Sequence, residues 1–160
     1  MINARAETAA TKPSFRAAFK SRRCLVLADG FYEWKKEGNQ KQPYYISRRD
    51  DQPFCLAGLC ESWRDKSVET SEAIETCTIL TTDANTVLQP LHDRMPVILH
   101  QDSFDFWLDK EFSGVEQLEK ILVPLATDDL QTSPVDRMVN RPVNDSPECI
   151  EPYKGDTSLF

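Results

Sequence analysis

Histidine is nearly absent from this 160-residue chain, which has only His92 and His100. Five cysteines are present (Cys24, Cys55, Cys60, Cys77 and Cys149), but no two are spaced as Cys-x-x-Cys. Neither histidine falls at ligand spacing from a cysteine pair, so no zinc site is expected, and no metal or cofactor of any kind. No apolar run approaches the ~20 residues that a membrane-spanning helix needs. The opening residues also lack the apolar stretch of a secretory signal. The expectation is a cytoplasmic protein, nuclear if the source is a eukaryote, with no membrane partner and with reduced thiols packed as small hydrophobes. Internal repeats and low-complexity tracts are also missing.

Hydrophobic residues make up 40% of the chain and charged residues 28%, an ordinary globular balance that suits one domain over residues 1–160. The net charge of −7 conceals an asymmetry. Residues 1–49 hold eleven Lys and Arg against four Asp and Glu, whereas residues 50–160 hold eight against twenty-two. Lys12, Arg16, Lys20, Arg22 and Arg23 follow one another with no intervening acid. Such a run can build a phosphate-binding face on an acidic protein, or it can simply be a solvated helix face.

Thr11-Lys12-Pro13 reads as a helix start, and Phe15, Ala18 and Phe19 then form one apolar stripe, leaving Arg16 and Lys20 on another face. Cys24 to Ala28 reads as a short buried strand. Phe31–Lys36 and Pro43–Ser47 flank a turn at Glu37-Gly38-Asn39-Gln40. Strands are expected at Phe54–Trp63 and Thr76–Thr82, with a mobile polar loop at Lys66–Glu75 between them. Asp83–Leu91 reads as a short helix capped by Asp83, and Pro96–His100 as a strand. Two further short helices are expected at Ser103–Asp109 and Val115–Leu122, then a strand at Val135–Val139. The order of elements favours an α+β fold with a mixed or antiparallel sheet.

Three polar clusters stand beside these apolar runs: Asn3-Ala4-Arg5-Ala6-Glu7-Thr8, Asp29-Gly30-Phe31-Tyr32-Glu33-Trp34, and His92-Asp93-Arg94 ahead of Met95-Pro96-Val97-Ile98-Leu99. Together with Leu80-Thr81-Thr82-Asp83-Ala84-Asn85, these four motifs in this order resemble the SRAP family, the SOS-response-associated peptidase proteins. The resemblance runs from Met1 to about Pro152. It implies a strand-rich, barrel-like core with short flanking helices. It also implies an abasic-site sensor for single-stranded DNA, monomeric when complete and associated with the nucleoid when engaged.

Family members begin Met-Cys-Gly-Arg, and loss of the methionine exposes an N-terminal cysteine. This chain starts at the family's internal Asn-Ala-Arg motif. The resemblance therefore implies that an N-terminal portion carrying the nucleophile is absent, and that the chain as given is inactive. The α-amine of a terminal cysteine, with a pKa near ~8, is partly neutral at physiological pH and can attack an aldehyde. Its thiol then closes a thiazolidine. An interior cysteine cannot do this, because its nitrogen is an amide.

The resemblance assigns Glu33, His92 and Asn3 to catalysis. Glu33 is expected to shuttle a proton, with its carboxyl held against Tyr32 and Trp34. His92 would transfer a proton to the opening sugar or hold a phosphate. Asn3 would orient the amine or a sugar hydroxyl. Arg5 and Arg94 are expected to grip phosphate, with Glu7 orienting Arg5. Thr81 and Thr82 are expected near the lesion backbone, plain strand content being their other reading. Arg16 and Lys20 complete the expected DNA-binding set. Two other functions remain open: a cysteine-type peptidase acting on other proteins, and a non-catalytic single-strand binder working through the basic N-terminal third.

Overall fold

The computed structural model describes residues 1–67, 70, 72–112 and 114–153. Two sheets organise it. The larger has six strands: β1 (Asn3–Arg5), β2 (Arg23–Ala28), β5 (Phe54–Trp63), β6 (Ile74–Asp83), β7 (Arg94–Pro96) and β8 (Ile98–Leu99). Its main path runs β1-β6-β5-β2, and β1 is parallel to β6 while the other pairs are antiparallel. The smaller sheet joins β3 (Gly30–Glu37), β4 (Gln40–Arg48) and β9 (Leu130–Pro134) in antiparallel order. The result is the expected mixed α+β architecture, with a curled, half-barrel sheet and few helices.

Strand alternation sorts the apolar residues of the large sheet between two cores. Ala57, Leu59, Leu80, Val97 and Leu99 pack with Phe15, Phe19, Trp107 and Leu118 from the helical layer. That layer consists of α1 (Ala6–Ala9), α2 (Arg16–Ser21), α3 (Phe104–Leu108) and α4 (Val115–Glu119). Phe54, Leu56 and Ile98 turn the other way, toward Ile46 and Leu130 of the small sheet.

β5 and β6 pair from Trp63/Ile74 to Gly58/Ile79 and then diverge. The chain after His92 enters the gap. β7 pairs with the far end of β6 (Thr82 opposite Met95), and β8 pairs with the near end of β5 (Leu56 opposite Ile98). Val97 sits at the fork, donating its N–H to Leu80 O and accepting the Ala57 N–H, both at 2.9 Å. The apolar run Met95–Leu99 is therefore a wedge buried on both faces, and it anchors the polar residues that precede it.

A sharp corner at Asp29 carries the chain from β2 into β3. Gly30 lets the Tyr45 ring lie close there, since a Cβ would come 2.2 Å from it and displace the ring. The β3–β4 hairpin turns at Gly38, whose φ of +61° suits glycine.

Several elements depart from expectation. The helix expected from Thr11 begins only at Arg16, as α2, and Thr11 bonds back to Thr8 O in a preceding turn instead of capping it. β2 is an edge strand, so Leu27 is 71% exposed. Residues 84–91 form hydrogen-bonded turns without a helix. There Asn85, not Asp83, is the capping residue, its side-chain oxygen accepting the N–H of Val87 and Leu88. Pro90 cannot donate a further helical bond. The strand expected at Val135–Val139 lies earlier, at Leu130–Pro134. Val135 keeps one bridge to Pro152, and Asp136 caps a 3-10 turn by accepting the Met138 N–H at 2.7 Å. The loop expected at Lys66–Glu75 lies partly outside the described residues, and β6 already begins at Ile74. No helix among the described residues is long and apolar enough to cross a membrane.

Candidate active site

Glu33 and Phe31 share one face of β3. Phe31 packs into the core between the sheets, against Phe54. Tyr32 and Trp34 take the outer face, where the Tyr32 hydroxyl donates to Cys149 O at 3.3 Å and Trp34 Nε1 donates to Asn140 Oδ1 at 2.7 Å. The rings expected to desolvate Glu33 therefore lie on the opposite side of its strand. Glu33 is nonetheless half-buried, and burial pushes its carboxyl above the usual range. Attraction to His92 and a backbone N–H at Trp34 act against that rise, while Asp93 adds to it. Glu33 on β3 is thus within electrostatic reach of His92, which lies in the turn just before β7.

His92 is held by its own chain. Its backbone N–H bonds Leu88 O at 3.0 Å, and its Nδ1 accepts the Arg94 backbone N–H at 3.0 Å. Nδ1 also lies 3.2 Å from Arg94 O, so both backbone groups of Arg94 meet the same ring nitrogen and fix the ring's orientation. Asp93 Oδ1 lies 3.1 Å from Nδ1.

Arg94 is only 13% exposed, and its guanidinium turns inward. It forms a bidentate pair with Glu7 at 2.8 and 2.9 Å, donates to Asp83 at 2.6 Å and donates to Thr81 O at 2.5 Å. Its terminal nitrogens are committed to protein oxygens, so it fastens α1 to the end of β6 instead of presenting a free fork to phosphate. Glu7 correspondingly takes Arg94, not Arg5, as its hydrogen-bonded partner. These contacts hold Glu7 below its ordinary 4.5, and Arg5 contributes a weaker attraction. The pair therefore adds stability above the unfolded value near 4.5, which is lost as pH falls through the lower folded value. Glu7→Gln should lower the thermal midpoint modestly at neutral pH and flatten its decline under acid. An unchanged acid limb would show that the pair adds nothing.

Asn3 and Arg5 are exposed on β1, opposite Ile79 and Thr81. Register puts both on the face of the large sheet that looks toward the small one, the side on which Ile79 packs with Phe31. Thr81 shares that face. Thr82 does not: it is 6% exposed and lies beside Ala6 and Leu122 on the helical side, because successive strand residues point oppositely. Only one of the two threonines can meet a ligand at the site.

Arg16 and Lys20 border a groove with Ala10, Phe19, Val115 and Leu118. That groove belongs to the helical layer, across the sheet from Glu33, so the structure does not bring them into the site. Arg22 pairs with Glu61, and Arg23 is buried. The basic run is thus divided between structural and exposed roles. Among the described residues, no group of three or more His, Cys, Asp or Glu could hold a metal ion.

The Arg94 fastening was missed from sequence. Glu7, Asp83 and Thr81 meet one guanidinium only through the β1–β6–β7 register, for which the linear pattern carries no signal. The parallel strand at Asn3–Arg5 was also missed, being too short for any periodicity.

Fold and site together define a split-sheet α+β domain with a half-buried carboxyl within electrostatic reach of an imidazole at the mouth of the split. The chain belongs to the SOS response associated peptidase (SRAP) family, whose profile matches residues 1–142. It is 42% identical over 154 residues to the abasic site processing protein YoqW of Bacillus subtilis, covering 96% of this chain and 67% of that one. It is 36% identical over 155 residues to the abasic site processing protein YedK of Escherichia coli, covering 95% and 67%. A crystal structure of a Bacteroides thetaiotaomicron protein superposes with a TM-score of 0.85 at 35% identity, covering 94% of this chain and 65% of that one. The chain thus spans about two thirds of the length of these relatives.

Proposed function

We propose that this domain processes abasic sites in single-stranded DNA, forming the wall of a pocket in which the sugar aldehyde is captured by an N-terminal cysteine carried ahead of Met1. The observation that supports this most directly is the electrostatic pairing of half-buried Glu33 on β3 with His92 just ahead of β7, burial raising the Glu33 carboxyl above its ordinary value.

The terminal amine adds to the aldehyde carbon to give a carbinolamine. Its hydroxyl must leave as water, which needs a proton donor. A carboxyl with a raised pKa supplies that proton near neutral pH more readily than an ordinary one. The thiol then adds to the imine carbon and closes the thiazolidine. His92 donates to the ring-opening sugar oxygen or to the flanking phosphate. Asn3 orients the amine, and Arg5 and Thr81 hold the strand. Arg94 acts as a positioning residue: its backbone holds the His92 ring, and its guanidinium fixes the motif to α1 and β6. The same nucleophile and proton donor would serve hydrolysis of the protein's own leading peptide, and a role in the SOS response would follow from the lesion.

A non-catalytic strand binder working through the basic N-terminal third is less well supported, since Arg22 and Arg23 are engaged within the fold. The test uses a single-stranded oligonucleotide with one abasic site, the chain as given, and a form extended upstream to an exposed N-terminal cysteine. On a denaturing gel, a shifted covalent band is expected from the extended form alone. No band from that form overturns the proposal.

A further inference from the structure

Three of the five cysteines cluster on one face of the large sheet and have no part in the proposed chemistry. Cys24 lies on β2, Cys60 on β5 and Cys77 on β6. Cys60 and Cys77 are direct cross-strand partners, and Cys24 is opposite Gly58, one pleat repeat from Cys60. Leu59, between Gly58 and Cys60, points into the helical core, so the thiols look the other way. Gly58 leaves room for them, since a Cβ there would come within 2.8 Å of Cys24 Sγ.

The ladder geometry selects which two thiols can join. The Cys60 N–H bonds Arg22 O at 2.8 Å, so the backbone polar groups of Cys60 point toward β2 and away from β6. Cys60 and Cys77 are therefore a non-hydrogen-bonded antiparallel pair, for which Cα atoms lie about 4.5 Å apart. That separation falls within the ~4.4–6.8 Å a disulfide spans. Cys77 is exposed, and Cys60 is half-buried beside it, its Sγ resting on Arg22 O at 3.3 Å. Cys24 is diagonal to Cys60 and touches its thiol, but burial first of all pushes the Cys24 thiol up to about 11, which keeps it protonated and unreactive.

We propose that Cys60 and Cys77 form a cross-strand dithiol that is a site of reversible oxidation by hydroperoxides. The Cys77 thiolate attacks a peroxide oxygen and the O–O bond breaks. Hydroxide leaves and is protonated, and Cys77 becomes a sulfenic acid. Cys60 Sγ then turns from the Arg22 carbonyl to Cys77, forms the S–S bond and displaces water. Two thiols are oxidised to one disulfide, and one hydrogen peroxide is reduced to two waters. The bond would tie β5 to β6 on the sheet face that also carries Asn3, because Ile79, two residues beyond Cys77, is opposite Asn3. The proposal rests on sheet register and does not depend on the abasic-site function.

The test treats the fully reduced chain with hydrogen peroxide and counts free thiols under denaturing conditions. The titre should fall from five per chain to three, and a dithiol reductant should restore it. Peptide mapping should show Cys60 joined to Cys77. Cys24→Ser should leave this bond intact, whereas Cys77→Ser and Cys60→Ser should each abolish it. A disulfide that includes Cys24, bonds between chains only, or Cys77 driven to sulfinic acid with no internal disulfide would each overturn the proposal.

Discussion

Glu33→Gln slows covalent capture of an abasic oligonucleotide by roughly 10²- to 10⁴-fold, the range that a lost general acid–base contributes. The assay is single-turnover, in a form with an exposed N-terminal cysteine, with the shifted band followed over time. Glutamine matches the carboxyl in shape and keeps hydrogen-bonding capacity, but it cannot donate and recover a proton. Binding of an uncleaved single strand should change little, which separates loss of chemistry from loss of affinity. Stability should move the other way. Folding raises the Glu33 pKa above its ordinary 4.5, so the native state holds that proton more tightly than the unfolded chain. Stability therefore falls as pH rises from 4.5 through the raised folded value, and the cost persists at neutral pH. Removing the charge should raise the melting temperature at neutral pH by about 1–3 °C, and the gain should vanish in acid. A capture rate within twofold of the parent would remove Glu33 from the chemistry. A melting temperature that drops would show that the charged form is needed for the fold.

Arg23→Met should cost about 3–5 kcal/mol of folding stability, read from the shift in urea midpoint. Arg23 is 5% exposed and has no carboxylate hydrogen-bonded to it. Its guanidinium instead donates to five backbone carbonyls. Nε reaches Trp107 O at 2.6 Å, Nη1 reaches Phe19 O and Lys20 O at 2.8 Å, and Nη2 reaches Asp109 O and, at 3.1 Å, Phe112 O. These are the closing carbonyls of α2 and the carbonyls at and beyond the end of α3, which lack helical donors and carry the negative end of the peptide dipoles. The charged plane also lies 5.6 Å from the Trp107 ring centroid, a cation–π distance. Methionine fills much of the space but withdraws all five donations, leaving Asp109 O with only the Phe112 N–H. Arg23→Lys keeps the charge with three donors from one point, so roughly half the loss is expected. A midpoint shift worth less than ~1 kcal/mol for methionine would mean that water replaces the guanidinium.

Arg23 also shows where sequence reasoning reaches its limit. In the linear chain it is one of five bases without an intervening acid, and nothing local separates it from Arg16. Burial separates them. Arg16 is on the outer surface of α2, whereas Arg23 opens β2 beneath the helix ends. The same holds for Arg94, whose motif is legible but whose guanidinium turns inward because β7 pairs with β6 and brings Asp83 opposite it. Thr81 and Thr82 look equivalent as a pair, and only the direction of the sheet's two faces distinguishes them.

By itself the sequence determined the mixed α+β class, the β3–β4 hairpin, most strand positions and the family. Hydrophobic alternation and turn residues act locally, and the motifs are short and contiguous. It also marked Glu33 and His92, which the fold brings within electrostatic reach of each other. Tertiary structure alone decided which charges are spent inside the protein, which side of each strand meets the site, and that β1 runs parallel to β6. It also decided that the run Met95–Leu99 is a wedge in a split sheet. Those outcomes depend on register and burial between residues far apart in the chain, and a one-residue change in pairing would reverse every face.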